Sequence, residues 1–162
     1  MINSTKQTIY DNYLQLLHLN EQKTDQDIQA FFKQAVEEEI QYVPTNMTSI
    51  HVIACIGENQ PINHTTIARK MNLSKANITK INKKLMQENL ITRFQSSDNK
   101  KEVYFELTPK GYSLFQLHEK IHNQKEEEFY QFIGTFSNLE QEVILRFLQK
   151  MNKKIIENEK SF

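Results

Sequence analysis

Two stretches of this sequence carry side chains at spacings that could do chemistry. His118 and His122 stand four residues apart in the segment HEKIH, which puts both imidazoles on one side of a helix. Neutral imidazoles so placed suit Zn²⁺, and Glu119 between them completes an H-E-x-x-H pattern, in which peptidases use the glutamate as general base. The pattern is only five residues long, and a peptidase also needs a third ligand and a substrate cleft, so this enzyme reading is a remote alternative. The second stretch, Ser74 to Leu90, reads as one amphipathic helix. Ile78, Ile81 and Leu85 recur along one face, and Ser74 is placed to cap the first free N–H groups. The other face carries Lys75, Asn77, Thr79, Lys80, Lys83 and Lys84, with no acid before Glu88. Lysines for phosphates and Asn or Thr for base edges are what a DNA major groove asks of a helix. A solvated helix face is the plainer alternative.

The charge distribution supports the DNA reading. The 162 residues have a formal net charge of zero. Residues 59–101 nevertheless hold nine Lys or Arg against two acids, a net of +7, and the remainder balances it with −7. A basic lobe on an acidic body is the footprint of a nucleic-acid binder. Hydrophobic content of 38% and charged content of 25% are those of an ordinary globule. Three Gly and three Pro leave little room for a many-turned β fold. The single cysteine, Cys55, excludes an internal disulfide and fits a reducing compartment; its apolar neighbours predict buried packing. No signal peptide and no 18-residue apolar run are visible, so the expected location is the cytoplasm, away from membranes.

The elements that must position these residues are mostly helices. Ile9, Tyr13, Leu16 and Leu17 mark a first helix over residues 3–20, and EQKTDQD reads as a polar break. Ile28, Phe31, Phe32, Val36 and Ile40 mark a second helix, closed by Pro44. A third, apolar helix is expected from a Thr48 cap to Gly57. Asn63 opens a short fourth helix, and a tight connection at Asn72-Leu73 leads to the Ser74 helix, a helix-turn-helix arrangement. ITRF and EVYFEL then predict a two-stranded hairpin with a basic tip, a wing beside the recognition helix. Pro109 suits the first position of a long helix running to about Phe132. Gly134 breaks it, and Ser137 with Glu140 forms a capping box for a last helix. The fold class is therefore mainly α with a small β-wing.

This order of elements resembles the MarR family of winged-helix transcription regulators over about residues 28–156. The run SxAxITKxxKKL from Ser74, the following ENLI, Asp98 in the wing and ELTPKG at 106–111 carry the resemblance. It implies N-terminal dimerisation helices in 1–44, a winged helix-turn-helix DNA-binding domain in 45–109 and C-terminal dimerisation helices in 110–162. It also implies a homodimer on a pseudo-palindromic double-stranded operator, with Ser74, Lys75, Asn77, Thr79, Lys80, Lys83, Lys84, Asp98, Lys100 and Lys101 at the DNA. The wing of the family usually pairs its Asp with an Arg; here Lys100 or Lys101 stands there, supplying charge without the planar fork.

A narrower resemblance is to the zinc-sensing AdcR/ZitR branch of that family. The branch carries two histidines eleven and fifteen residues after the Leu of its wing exit, and Leu107 leads to His118 and His122 at those offsets. Its histidine in a T-x-x-H setting falls at His51, and its glutamate followed by Ile matches Glu39 best, beside Glu37 and Glu38, in a loop about six residues shorter. Three His and one carboxylate suit Zn²⁺. The branch's second site has no cysteine here, so one zinc site per subunit is implied. By that resemblance the protein is a zinc-responsive repressor, with zinc-uptake genes as its targets. The alternative is a MarR-type regulator that senses an organic ligand or stress signal without metal. His18 and His64 match nothing; His64 reads as a surface residue.

Overall fold

The computed structural model describes residues 4–95 and 101–159. The chain falls into two compact units, Met1–Lys120 and Ile121–Phe162. The first unit begins with α1 (Ser4–Glu37), a single helix of 34 residues. The break expected at EQKTDQD does not occur. Its Glu, Gln, Lys and Asp residues are polar, but none is Gly or Pro, and most are good or tolerable helix formers. Next come α2 (Met47–Asn59), β1 (Ile62–Asn63), α3 (His64–Met71), α4 (Lys75–Gln87), β2 (Ile91–Gln95) and β3 (Val103–Leu107).

Short polar side chains fix the helix starts. Asn46, not Thr48, caps α2 by accepting from the Ser49 N–H at 2.9 Å. Asn63 caps α3 by accepting from Thr66 N–H at 2.9 Å, and Ser74 caps α4 through Asn77 N–H at 3.2 Å. The turn between α3 and α4 is made by Asn72 in the left-handed region (φ 52°), whose N–H bonds back onto α3. Asn tolerates that conformation better than most residues. The helix α2 does not stop at Gly57 as expected; it continues to Asn59, whose amide donates to the Cys55 carbonyl at 2.8 Å, just before Pro61.

The wing is one strand larger than the expected hairpin. β1 joins β3 through Ile62↔Phe105, giving the antiparallel order β1-β3-β2. β2 pairs with β3 from Ile91↔Leu107 to Gln95↔Val103. Ile50, Ile53 and Ile56 of α2, Ile67 of α3, Ile78 and Leu85 of α4, and Phe105 of β3 meet in one core and are fully buried. Each such side chain contributes about 1.5–3 kcal/mol on leaving water. Cys55 is a free, buried thiol in this core, as expected, and burial pushes its pKa up.

α5 (Pro109–Ile133) starts on Pro109 as expected and runs from the first unit into the second. In the second unit α6 (Asn138–Glu159) follows. The capping box is present: Glu140 accepts from Ser137 N–H at 2.8 Å and from its hydroxyl at 2.7 Å. These bonds hold the Glu140 carboxyl below its ordinary pKa. Phe129 and Phe132 of α5, and Leu139, Val143, Phe147 and Leu148 of α6, are exposed. No helix among the described residues is long and apolar enough to cross a membrane.

Candidate metal centre and nucleic-acid interface

α4 presents the two faces its sequence implies. Ile78, Asn82 and Leu85 are buried, while Lys75, Asn77, Thr79, Lys80, Lys83 and Lys84 are exposed. The hydroxyl of Thr79 donates to the Lys75 carbonyl at 2.8 Å, so toward DNA it offers lone pairs only. Ser74 is exposed and already accepts the Asn77 N–H as the cap. Lys84 Nζ stands 3.9 Å from Glu88 Oε1 and keeps half its side chain exposed. Beside this face, an open groove of about 810 Å³ runs between the start of α2 and α4, lined by Asn46, Thr48, Asn77, Lys80 and Lys84 among others. In the wing, Lys101 is exposed at the turn into β3. Asp98 and Lys100 lie outside the described residues. Arg93, exposed on β2, is a cation the sequence reading counted but did not assign.

One buried polar group on α4 was not anticipated. Asn82 is fully buried, and neither its amide nitrogen nor its oxygen has a hydrogen-bond partner among the described residues. Apolar Ile78 and Leu85 lie one turn either side on the same buried face.

The histidines come together. His51 projects from α2, and His118 and His122 from consecutive turns of α5. Because α5 is one continuous helix, the last two are placed together by its 3.6-residue period alone. The His51 and His118 rings meet edge-on, with centroids 5.4 Å apart. One ligand-capable atom from each of His51, His118 and His122 lies within 4.8 Å of the others. Two nitrogens bound to one tetrahedral Zn²⁺ at about 2.0–2.1 Å stand roughly 3.4 Å apart. The three rings would have to close by about 1.4 Å or less to share an ion, and two of them, His51 and His122, are exposed enough to turn; His118 is buried. A soft-to-borderline set of neutral imidazoles fits zinc chemically.

The carboxylates divide differently from the sequence expectation. Glu39 stands just past α1, exposed and left-handed (φ 55°), outside the histidine group. Glu38 is held by Lys120 of α5 at 2.7 Å, which keeps its carboxyl below the ordinary value, and Glu37 lies 3.9 Å from Lys33. Glu119, the glutamate of the H-E-x-x-H pattern, keeps 39% of its side chain exposed and has a carboxylate oxygen 3.5 Å from His118 Nδ1. A carboxylate behind a ligating imidazole fixes its ring orientation and raises its basicity.

His64 is the other corrected histidine. It is not a surface residue: it is half-buried, its ring packs edge-on against Phe105 at 4.5 Å, and burial lowers its pKa. Tyr42, Glu88 and Lys110 form a cluster that sequence reasoning missed. The Tyr42 hydroxyl donates to Glu88 Oε1, and that charged acceptor pushes the Tyr42 pKa up to about 12.

Comparison with known proteins agrees with this geometry. Residues 45–103 match the MarR family. The chain is 58% identical over 151 residues to the HTH-type transcriptional regulator PchR of Bacillus subtilis (strain 168), covering 93% of this chain and 89% of that protein. A solved structure of Lactococcus lactis ZitR in complex with DNA superimposes with a TM-score of 0.65 at 27% identity, over 71% of this chain and 78% of that one. A crystal structure of ZitR, described as a zinc-responsive MarR family member, shares the fold with a TM-score of 0.63 at 22% identity, over 84% of this chain and 99% of the other. With its helix-turn-helix, its wing and these relatives, the chain belongs to the MarR family of transcriptional regulators.

Proposed function

We propose that the protein is a homodimeric, cytoplasmic repressor whose binding to a pseudo-palindromic operator responds to zinc, held once per subunit by His51, His118, His122 and a glutamate, Glu39, which stands outside the group of three histidines and would have to move to reach the ion. The observation that carries this reading is the convergence of three imidazoles from α2 and α5. A bound zinc ion would supply a fixed link between those two helices. His51 ties the first helix of the DNA-binding domain to the site, and His118 and His122 tie the helix that leaves the wing. A carboxylate oxygen of Glu119 stands 3.5 Å from His118 Nδ1, from where it would orient that imidazole on closing to hydrogen-bond distance. Such a link changes DNA affinity only to the extent that one conformer binds the ion better than the other. The change selects a spacing of the two recognition helices suited to half-sites about 34–36 Å apart. The exposed apolar residues of α1, such as Ile9, Leu16 and Leu19, and those of α6 are the surfaces through which two copies would pair.

On the DNA side, Lys75, Asn77, Thr79 and Lys80 begin the recognition helix, where base edges are nearest, with Ser74 at the cap. Lys83, Lys84, Lys100 and Lys101 serve the phosphates, and Asp98 belongs to the wing. Family likeness to ZitR supports zinc-uptake genes as targets.

The test is operator binding by fluorescence anisotropy, with and without zinc. His51→Ala and His122→Ala are expected to abolish the zinc dependence and to retain metal-free affinity, because neither residue lies on α4. Zinc dependence unchanged in both variants overturns the reading. One observation favours a second reading, an organic effector: the groove beside α4 is large enough for a small ligand, and Lys80 and Lys84 would attract an anionic one. A ligand there would compete directly with DNA, and its effect would be indifferent to the histidine substitutions.

A further inference from the structure

The C-terminal end of α4 is tied to two other segments by a polar cluster within the first unit. Glu88 is the C-cap residue of α4, its N–H donating to the Lys84 carbonyl at 3.0 Å while the next N–H, of Asn89, donates to that of Met86 at 3.0 Å. Its carboxylate Oε1 accepts the hydroxyl of Tyr42, which sits in the connection between α1 and α2. Its backbone carbonyl accepts from Lys110 Nζ, in the first turn of α5, at 3.2 Å. The same ammonium stands 4.9 Å from the centre of the Tyr42 ring, within cation–π range. Glu88 is largely buried, with 15% of its side chain exposed, and its second oxygen, Oε2, has no hydrogen-bond partner among the described residues. Burying a half-satisfied carboxylate costs free energy that a glutamine or an apolar residue would not. Such a cost is tolerated where a specific geometry has to be held.

The two partners of Glu88 lie on segments that carry, or lead into, the proposed ligands. Tyr42 falls between Glu39 and His51 in the chain, and Lys110 precedes His118 by eight residues on α5, about 12 Å along a helix axis. We propose that Tyr42, Glu88 and Lys110 are a latch: positioning residues that fix the end of the recognition helix to the connection leading into α2 and to the first turn of α5, the two helices bearing the histidines, so that occupancy of the histidine site is read at α4. The zinc part of this inference rests on the metal reading above; the positioning of α4 does not. If α2 or α5 shifts, the latch either carries α4 with it or lets go of the Tyr42–Glu88 bond.

The experiment compares wild type, Tyr42→Phe, Glu88→Gln and Glu88→Ala as full-length proteins. Zinc binding is followed by titration calorimetry, and affinity for operator and for unrelated DNA by anisotropy, with melting temperatures as the folding control. Tyr42→Phe removes one oxygen. It is expected to keep zinc stoichiometry and melting temperature, to lower the operator-to-unrelated affinity ratio about fivefold or more, as loss of one charge-assisted hydrogen bond would, and to shrink the effect of zinc on operator affinity toward onefold. Glu88→Gln keeps an acceptor for the hydroxyl and most of the ratio; Glu88→Ala loses it. A wild-type ratio and a wild-type zinc effect in Tyr42→Phe overturn the latch. Should wild type take up no zinc, the metal reading fails by itself, and the operator ratio alone decides: equal ratios in wild type and Tyr42→Phe overturn the latch, a fall supports it.

Discussion

Replacing Gly111 by alanine sets two physical effects against each other with opposite signs. Gly111 lies in the first turn of α5, where the helix start packs on the chain leaving α4. A Cβ there would stand 2.0 Å from the Leu90 carbonyl oxygen and 3.0 Å from its carbon. That is roughly 1.5 Å inside an ordinary contact, and the obstacle is backbone. The Leu90 carbonyl cannot step aside easily, because it accepts from the Thr108 N–H at 3.1 Å and lies 3.1 Å from the Thr108 hydroxyl. That hydroxyl also donates to Asn89 O at 2.7 Å and accepts from Gly111 N–H at 3.1 Å. Helix propensity alone would make Gly→Ala stabilising by about 1 kcal/mol. Overpacking of this severity costs about 3 kcal/mol or more, so the net change is a loss of about 2 kcal/mol. For a chain of this size that lowers the melting temperature by roughly 4–8 °C. Thermal melting followed by circular dichroism, at matched protein concentration, measures it. Gly57→Ala is the comparison: its Cβ would meet the Phe115 ring at 2.6 Å, a side chain that can turn away, and its loss should be smaller. A melting temperature for Gly111→Ala equal to or above wild type would refute the close-approach argument.

Three further outcomes are expected. Lys80→Ala should weaken operator binding specifically, whereas Lys83→Ala should weaken all DNA alike and flatten the salt dependence by about one ion; gel shifts across a salt series separate the two, and wild-type operator affinity in Lys80→Ala would reverse the assigned face of α4. Asn82→Leu removes two buried polar atoms that have no hydrogen-bond partner among the described residues and should stabilise by about 1–3 kcal/mol, read as a raised denaturant midpoint; a lowered midpoint would mean that the amide is satisfied. Glu119→Gln should retain DNA binding, and neither it nor wild type should hydrolyse a peptide substrate; hydrolysis by wild type that vanishes in Glu119→Gln would restore the peptidase alternative.

Much of the fold was legible because its signals are local. Ser74 capping α4, Asn63 capping α3, Pro109 starting α5 and the Ser137–Glu140 box each act within four residues, and the Ile78–Leu85 stripe faces the core as its period requires. Where the sequence misled, a local signal was absent or tertiary context decided. EQKTDQD is polar, and polarity without Gly or Pro does not end a helix. Asn46 and Thr48 are both eligible caps, and only the path of the chain chooses. β1 is two residues long and exists because Phe105, more than forty residues away, pairs with Ile62. The same partner buries His64. At the histidine group, HEKIH placed two candidate ligands together by helical spacing, and His51 came from family likeness; the structure brings the three side chains together. The place of Glu119 beside His118 and the Tyr42–Glu88–Lys110 cluster depend on side-chain placement and long-range packing that no spacing encodes.

Titration calorimetry of metal-free protein with zinc, wild type beside His118→Ala, bears most directly on the proposed response to zinc. His118 is the buried member of the histidine group and meets His51 ring to ring, so its loss removes the ligand that the other two close around. Wild type is expected to bind one zinc per subunit tightly. His118→Ala is expected to lose that site. Equal stoichiometry and equal affinity in the two proteins would contradict it and leave the organic-effector reading in its place.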